Sequence, residues 1–223
     1  MTNPLRDGLP ELPPKMRGLP IDERGYPVPF FVAIIDGKPD HRVADPRAQK
    51  ACVEHNRCWI CGGPLGRFRA FVIGPMCMVT ETSGEPPSHL ECAEYAVKAC
   101  PFLARPKAKR REAGMPENLQ APAGVFIQRN PTAAGIWVTV TGGPFRAQLG
   151  KPGVLFDIGT PHAVQWYFEG GPATRAQVEA SIDSGRVELE KQCGTKAEYA
   201  HLHKRLDEVR VLLDGMFAKG AAK

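Results

Sequence analysis

No long apolar run occurs anywhere in the 223 residues, and nothing approaches the roughly 20 consecutive apolar positions that a bilayer-spanning helix needs. Membrane-spanning roles are excluded on that basis, and a soluble protein is expected. The amino end shows no basic start followed by an apolar core and a cleavage site, and the seven cysteines are an odd number. Together these point away from a disulfide scaffold and toward reduced thiols in a cytoplasm. Also missing are a Gly-x-Gly-x-x-Gly after a strand, a phosphate loop ending in Gly-Lys-Ser/Thr, and a Gly-x-Ser-x-Gly elbow. Nucleotide-binding and hydrolase classes that depend on those turns have no foothold, and no catalytic residue is assigned.

What the chain does have is Cys58-x-x-Cys61, followed later by His89-x-x-Cys92. The first pair lies in Arg57-Cys-Trp-Ile-Cys-Gly-Gly-Pro-Leu-Gly66, where glycines and a proline after the second cysteine let the backbone curl around the sulfurs. Phe68 to Ile73 and Met76 to Thr80 read as two short strands broken at Gly74-Pro75, a hairpin. Ser88 followed three residues later by Glu91 reads as a capping box, opening a helix that runs to about Cys100 and carries His89 and Cys92 in its first turn. Four soft donors in this order predict a Cys3His sphere holding one structural zinc ion. Cys52 and His55 stand close enough in sequence to replace one of the four. Cys77 and Cys100 have no partner at ligand spacing and are read as packing residues, and Cys193, far along the chain, carries no signal.

Knuckle, hairpin and ligand-bearing helix come in the order of a treble-clef zinc finger, and residues 57–100 resemble that superfamily. The resemblance implies a zinc-stapled finger and a tendency to bind nucleic acid. A broader resemblance is carried by Val32-Ala-Ile-Ile-Asp-Gly-Lys-Pro-Asp-His-Arg-Val-Ala-Asp45, Cys58-Trp-Ile-Cys-Gly62, Phe71-Val-Ile-Gly-Pro-Met-Cys77, Glu85-Pro-Pro-Ser-His89 and Cys100-Pro-Phe-Leu103. These fragments are similar to uncharacterised proteins encoded by bacteriophages and prophages, which implies a mobile-element setting inside a bacterial host and no particular activity.

Four segments are expected in an α+β chain. Residues 1–29 read as a Pro-rich extended arm, and 30–103 as a strand-helix unit plus the finger. Pro29 to Gly37 is the strand there, ended by an Asp-Gly turn, and Asp45 to His55 the helix. Residues 104–123 read as a basic, Pro-rich linker. The rest, 124–223, reads as a small antiparallel sheet with two helices. Its strands are placed at Gly124 to Arg129, Ile136 to Thr141, Val154 to Ile158 and Ala163 to Phe168, and its helices open on capping boxes at Thr174/Gln177 and Thr195/Glu198. The last helix has a heptad-like seam, Tyr199, Leu202, Leu206, Val209, Leu213 and Met216. That face suits either the protein's own core or a homodimer contact; His201 and His203 beside it are read as solvated.

A formal charge of +5 allows a polyanionic partner without requiring one. The excess is concentrated in Arg105-Pro-Lys-Ala-Lys-Arg-Arg111. Lys107, Lys109, Arg110 and Arg111, with Arg67, Arg69 and the aromatics Phe68 and Phe71, form the candidate nucleic-acid contact; as a plain solvated linker the same run would do nothing. A protein partner held on the helix seam, the arm or Trp166 to Phe168 is the competing binding mode. An HNH-like nuclease would need a general-base histidine on the hairpin, and Arg67 to Thr82 contains none, so His41, His55 or His162 would have to supply it. A zinc deaminase would need His-x-Glu before Pro-Cys-x-x-Cys and an open metal position, neither of which is present.

Overall fold

The computed structural model describes residues 3–105, 133–140, 147–149 and 154–220. Near the start of the body, Asp36 and Gly37 both adopt positive φ, 51° and 77°, as a two-residue turn of mirror-image type requires. This turn folds β1 (Val32–Ile35) onto β2 (Lys38–Ala44) as an antiparallel hairpin. The expected strand and turn are there, and the returning strand β2 is additional. Helix α1 (Pro46–His55) follows, with the Asp45 carboxylate accepting the Arg47 N–H and Pro46 preset for the first turn. Asn56 in the left-handed region, φ 49°, ends it.

Strand β3 (Phe68–Ile73) forms as expected, but its hairpin partner does not. Residues Met76–Thr80 are a short helix, α2, and a two-residue strand β4 (Thr82–Ser83) comes after it. A short apolar run carries no periodicity that separates strand from helix, and here tertiary contacts decide. From α6 (Lys196–Gly220), Arg205 reaches the carbonyls of Met78 and Val79 at 3.2 and 3.4 Å, satisfying groups that a helix end leaves open. The other helices are α3 (Leu90–Ala99), α4 (Pro101–Ala104) and α5 (Arg175–Glu190). The remaining strands are β5 (Ala134–Val140), β6 (Ala147–Leu149), β7 (Val154–Asp157), β8 (Ala163–Phe168) and β9 (Gly171–Pro172). The expected strand at Gly124 to Arg129 lies outside the described residues.

The protein is mixed α+β, with small antiparallel sheets. The largest has the order β3-β5-β8-β9, so the strand next to the cysteine motif shares a sheet with strands from the carboxyl-terminal half. A second sheet runs β4-β7-β6. Period-two alternation along β3 and β5 sends Ala70, Ile136 and Val138 to one face, where they meet Ala93 and Val97 of α3. Phe71, Ile73 and Trp137 go to the other face and meet α2, α5 and α6 in the principal core. The main sheet is thus sandwiched between helices. Gly135 is obligatory in it, since a Cβ there would lie 2.4 Å from the Trp166 ring.

The two carboxyl-terminal helices begin as expected. Thr174 and Gln177 form a reciprocal capping box, and Thr195 and Glu198 exchange bonds of 3.1 and 3.0 Å in the same way. Of the seam on α6, Leu202, Leu206, Val209 and Leu213 are buried in the principal core and Met216 packs partly against it. Those four residues pack into the protein's own core. Tyr199 is exposed and stacks on His203, which also meets Glu190 at 2.9 Å, so His203 is held in place rather than simply solvated.

Candidate metal centre

The site starts from a tight turn. Cys58 N–H donates to the Gly63 carbonyl at 2.7 Å, Gly62 N–H donates to the Cys58 carbonyl at 2.9 Å, and Arg57 pairs with Pro64 across the loop. Gly62 has φ 73°, and a Cβ there would sit 2.8 Å from the Phe30 ring, so only glycine fits. The Arg57 guanidinium donates to the Gly62 carbonyl and closes the outside of the turn.

The other half is brought in by β3. Ser88 and Ala70 exchange backbone bonds of 2.7 and 2.9 Å, a single bridge that stands where the expected hairpin's second strand would be. Because the Ser88 backbone is engaged there, the chain enters α3 one residue later: His89 is the N-cap, no side chain caps the helix, and Glu91 pairs with Lys15 instead of closing a box. His89 and Cys92 still fall one turn apart on the inner side.

The result is a cluster of Cys58, Cys61, His89 and Cys92 whose ligand atoms all lie within 4.8 Å of one another, and it is the one group of three or more metal-type ligands among the described residues. Cys61 Sγ is 3.3 Å from His89 Nδ1, and Cys92 Sγ is 3.8 Å from it. A tetrahedral ion bound at ordinary metal–sulfur and metal–nitrogen lengths spaces such ligands about 3.5–3.8 Å apart. His89 Nε2 lies 2.9 Å from the Pro64 carbonyl, which takes a proton on that nitrogen and leaves Nδ1 as the lone-pair donor facing the sulfurs. Cys58 and Cys92 are fully buried, whereas Cys61 and His89 are half-buried.

The electrostatics of the bare cluster invite a cation. Hydrogen bonds from the Cys61 and Cys92 side chains hold the Cys58 thiol far below the usual range, against its burial, and the N–H groups of Cys61 and His89 help at 3.4 Å each. The same contact with Cys58 pushes Cys61 and Cys92 up. A divalent cation among the three sulfurs would favour the thiolate form of each.

Cys52 does not join the cluster. It packs with Ala48 and Trp59, and burial pushes its thiol up to about 12. His55 ends α1 outside the group. Cys77 and Cys193 pack partly against the principal core, in keeping with a packing role, although Cys77 sits on α2 rather than in a strand. Cys100 caps α3, its thiol pushed up by burial.

The basic candidates separate. Arg67 and Phe68 are exposed at the start of β3, in an open cleft beside His89 and Leu90. Arg69 is half-buried, and burial pushes its guanidinium down. Lys107, Lys109, Arg110 and Arg111 lie outside the described residues. Helix α3 starts beside Pro64 and Ser88, and its far end reaches Gly170, so Arg105 leaves from the opposite end of that helix from Arg67. His162 is carried to the side of Phe68, ring centroids 5.5 Å apart; His41 faces Asp22 on β2. Sequence reading had no signal for the Asp22–His41 contact, nor for where the arm packs, since both join segments distant in the chain.

No helix among the described residues is long and apolar enough to cross a membrane. No family model, curated protein or solved structure matches the chain.

Proposed function

We propose that the four-ligand cluster holds one structural zinc ion in a treble-clef-like corner, and that the chain is a binding protein whose partner is nucleic acid. Three thiolates and an imidazole are the donor set zinc favours, and four protein ligands leave no coordination position for a reacting water. Knuckle, strand and ligand-bearing helix follow one another as in a treble clef, with the Ala70–Ser88 bridge as the remnant of the hairpin.

The observation that carries the nucleic-acid reading is the exposed Arg67–Phe68 pair beside the cluster. Phe68 is 48% exposed, unusual for a phenylalanine at the edge of a sheet, and it offers a ring for a base to stack on while Arg67 offers a cation for phosphate. The basic run after α4 would add phosphate contacts. Binding of this kind is electrostatic and indifferent to sequence. The setting we infer, a phage or mobile element inside a bacterial cytoplasm, rests on sequence resemblance and on the cysteine content.

The test is a salt titration of fluorescence anisotropy with labelled single- and double-stranded DNA and RNA, on protein whose zinc content is measured in parallel. Affinity should fall steeply with salt, drop with Arg67→Glu or Phe68→Ala, and vanish when Lys107, Lys109, Arg110 and Arg111 are reversed together. Absence of binding at low salt with one zinc per chain intact rejects it in favour of a protein partner. The second reading is favoured by Val211 and Leu212, 70% and 38% exposed on the outer side of α6.

A further inference from the structure

Residues 3–19 of the amino-terminal arm reach the body at the metal centre, and the arm's later loop reaches it again where Asp22 meets His41. A single turn of 3-10 helix, Pro14–Met16, drives Met16 into the protein until it is 1% exposed. Its neighbours there are Cys58, Ile60, Leu65, Cys92, Tyr95 and Ala99, with Leu9, Leu12 and Leu19 of the arm packed around it. Two of those neighbours, Cys58 and Cys92, are also metal ligands, so one pair of side chains is at once the inner wall of the metal centre and the floor of the groove that takes the arm. Lys15 adds an ion pair to Glu91, in the same first turn of α3 that carries Cys92.

No backbone bond among the described residues ties 3–19 directly to the body. Among the described residues, the backbone bonds of 3–19 stay within the arm, as in Arg6 N–H to Gly25, Leu9 N–H to Arg6 and Leu19 N–H to Met16. The Asn3 side chain likewise bonds to Ile21. The first backbone bond that crosses to the body comes later, from Phe30 N–H to Ile60 at 2.8 Å. A segment joined to the body by side chains, with no backbone bond, has low local stability and opens more readily than the sheets and helices of the core.

We propose that the arm is a metal-dependent latch: zinc at Cys58, Cys61, His89 and Cys92 assembles the groove that seats Met16, and loss of the metal frees residues 3–19 and uncovers Ile60, Leu65 and Tyr95. This rests on the zinc reading above. The knuckle and the start of α3 meet at the four ligands, at the Trp59 N–H to Pro87 carbonyl bond of 3.1 Å, and in the buried cluster of Cys58, Ile60, Leu65, Cys92, Tyr95 and Ala99 that receives Met16. Without the ion, the two ligand pairs lose the centre that ties them together, and the groove they line loosens. The remainder of the sandwich keeps its own apolar core. By reciprocity of linked equilibria, an arm that docks better on the zinc form must also raise the affinity for zinc by the same factor.

Lys15 and Arg17 make the latch readable, because both are trypsin sites on the docked turn. The experiment compares cleavage in the full-length protein with zinc bound and after chelation, with zinc measured per chain. Cleavage at Lys15 and Arg17 should accelerate at least tenfold on metal removal, while Arg186 in α5 and Lys204 in α6 stay protected. Met16→Glu in the zinc-loaded protein should give the same acceleration with the metal still bound at one per chain, and its zinc affinity should fall by a comparable factor. Equal arm cleavage with and without metal, at one zinc per chain, overturns the latch and leaves the zinc reading standing. Cleavage spreading to α5 and α6 at the rate of the arm also overturns it, as global unfolding. A purified chain that binds no zinc overturns both.

Discussion

Around Phe156, Leu206 and Leu213 the protein buries large apolar side chains from two sheets and three helices, all of them essentially inaccessible to solvent. Around Cys58 the buried apolar residues are fewer and smaller, and the loops there curl without forming a sheet. Removing apolar area from water stabilises the first region at about 25 cal/mol per Å². The second has fewer buried apolar residues, and under the zinc reading proposed above it would draw its stability from the ligand cluster, as small metal-bound units generally do. The contrast explains why one region of the same chain should survive chelation and the other should not.

The largest expected effect breaks the metal corner. Cys58→Ser should abolish stoichiometric zinc, and because structural zinc contributes folding free energy on the order of 10 kcal/mol or more, the corner should unfold. Elemental analysis and a thermal scan check this, and retained metal with unchanged melting would sink the site. Next comes the sandwich: Leu213→Ala, at a position with no solvent exposure, should cost about 2–5 kcal/mol with zinc or with chelator present. A cost that appears only in the zinc form would mean that the two regions are not independent.

Gly135→Ala sharpens the same comparison. Its new methyl meets the Trp166 ring rather than a flexible chain end, so about 1–3 kcal/mol should be lost by denaturant unfolding, without any loss of zinc. The smallest effect concerns the contact between the loop at Asp22 and strand β2. Burial pushes the His41 imidazole below its ordinary 6.5, the Arg24 cation adds to this, and the Asp22 carboxylate, 3.2 Å away, opposes it. A group whose folded pKa is depressed favours the fold fully above its unfolded pKa and loses that contribution as pH falls. Melting temperature should therefore decline between about pH 7 and pH 5 in the native protein, and His41→Gln should flatten that decline; an unchanged slope would remove His41 from the account.

How far the sequence could be read depended on how local each signal was. The ligand set, α1 with its Asp45 cap, the boxes at Thr174 and Thr195, and strands at Ala163–Phe168 and Val154–Asp157 were all legible, because each rests on residues within a turn or two of one another. The hairpin after Phe68 was not, because Met76–Thr80 takes its helical form from Arg205 and from Gly185, whose missing side chain lets Met76 pack against α5. Ser88 misled for a related reason, since its backbone was claimed by Ala70. The seam on α6 showed that one face is apolar and left open what covers it.

By itself, then, the sequence determined which atoms could bind a metal and where helices begin, through short-range spacing, capping and turn chemistry. The tertiary structure alone decided that β3 joins β5 rather than a neighbour, that Met16 joins the buried cluster of Cys58 and Cys92, and that the buried part of the α6 seam is core. Those outcomes are competitions between distant segments for the same buried surface and the same backbone hydrogen bonds, and such competitions are settled only when the whole chain is packed at once.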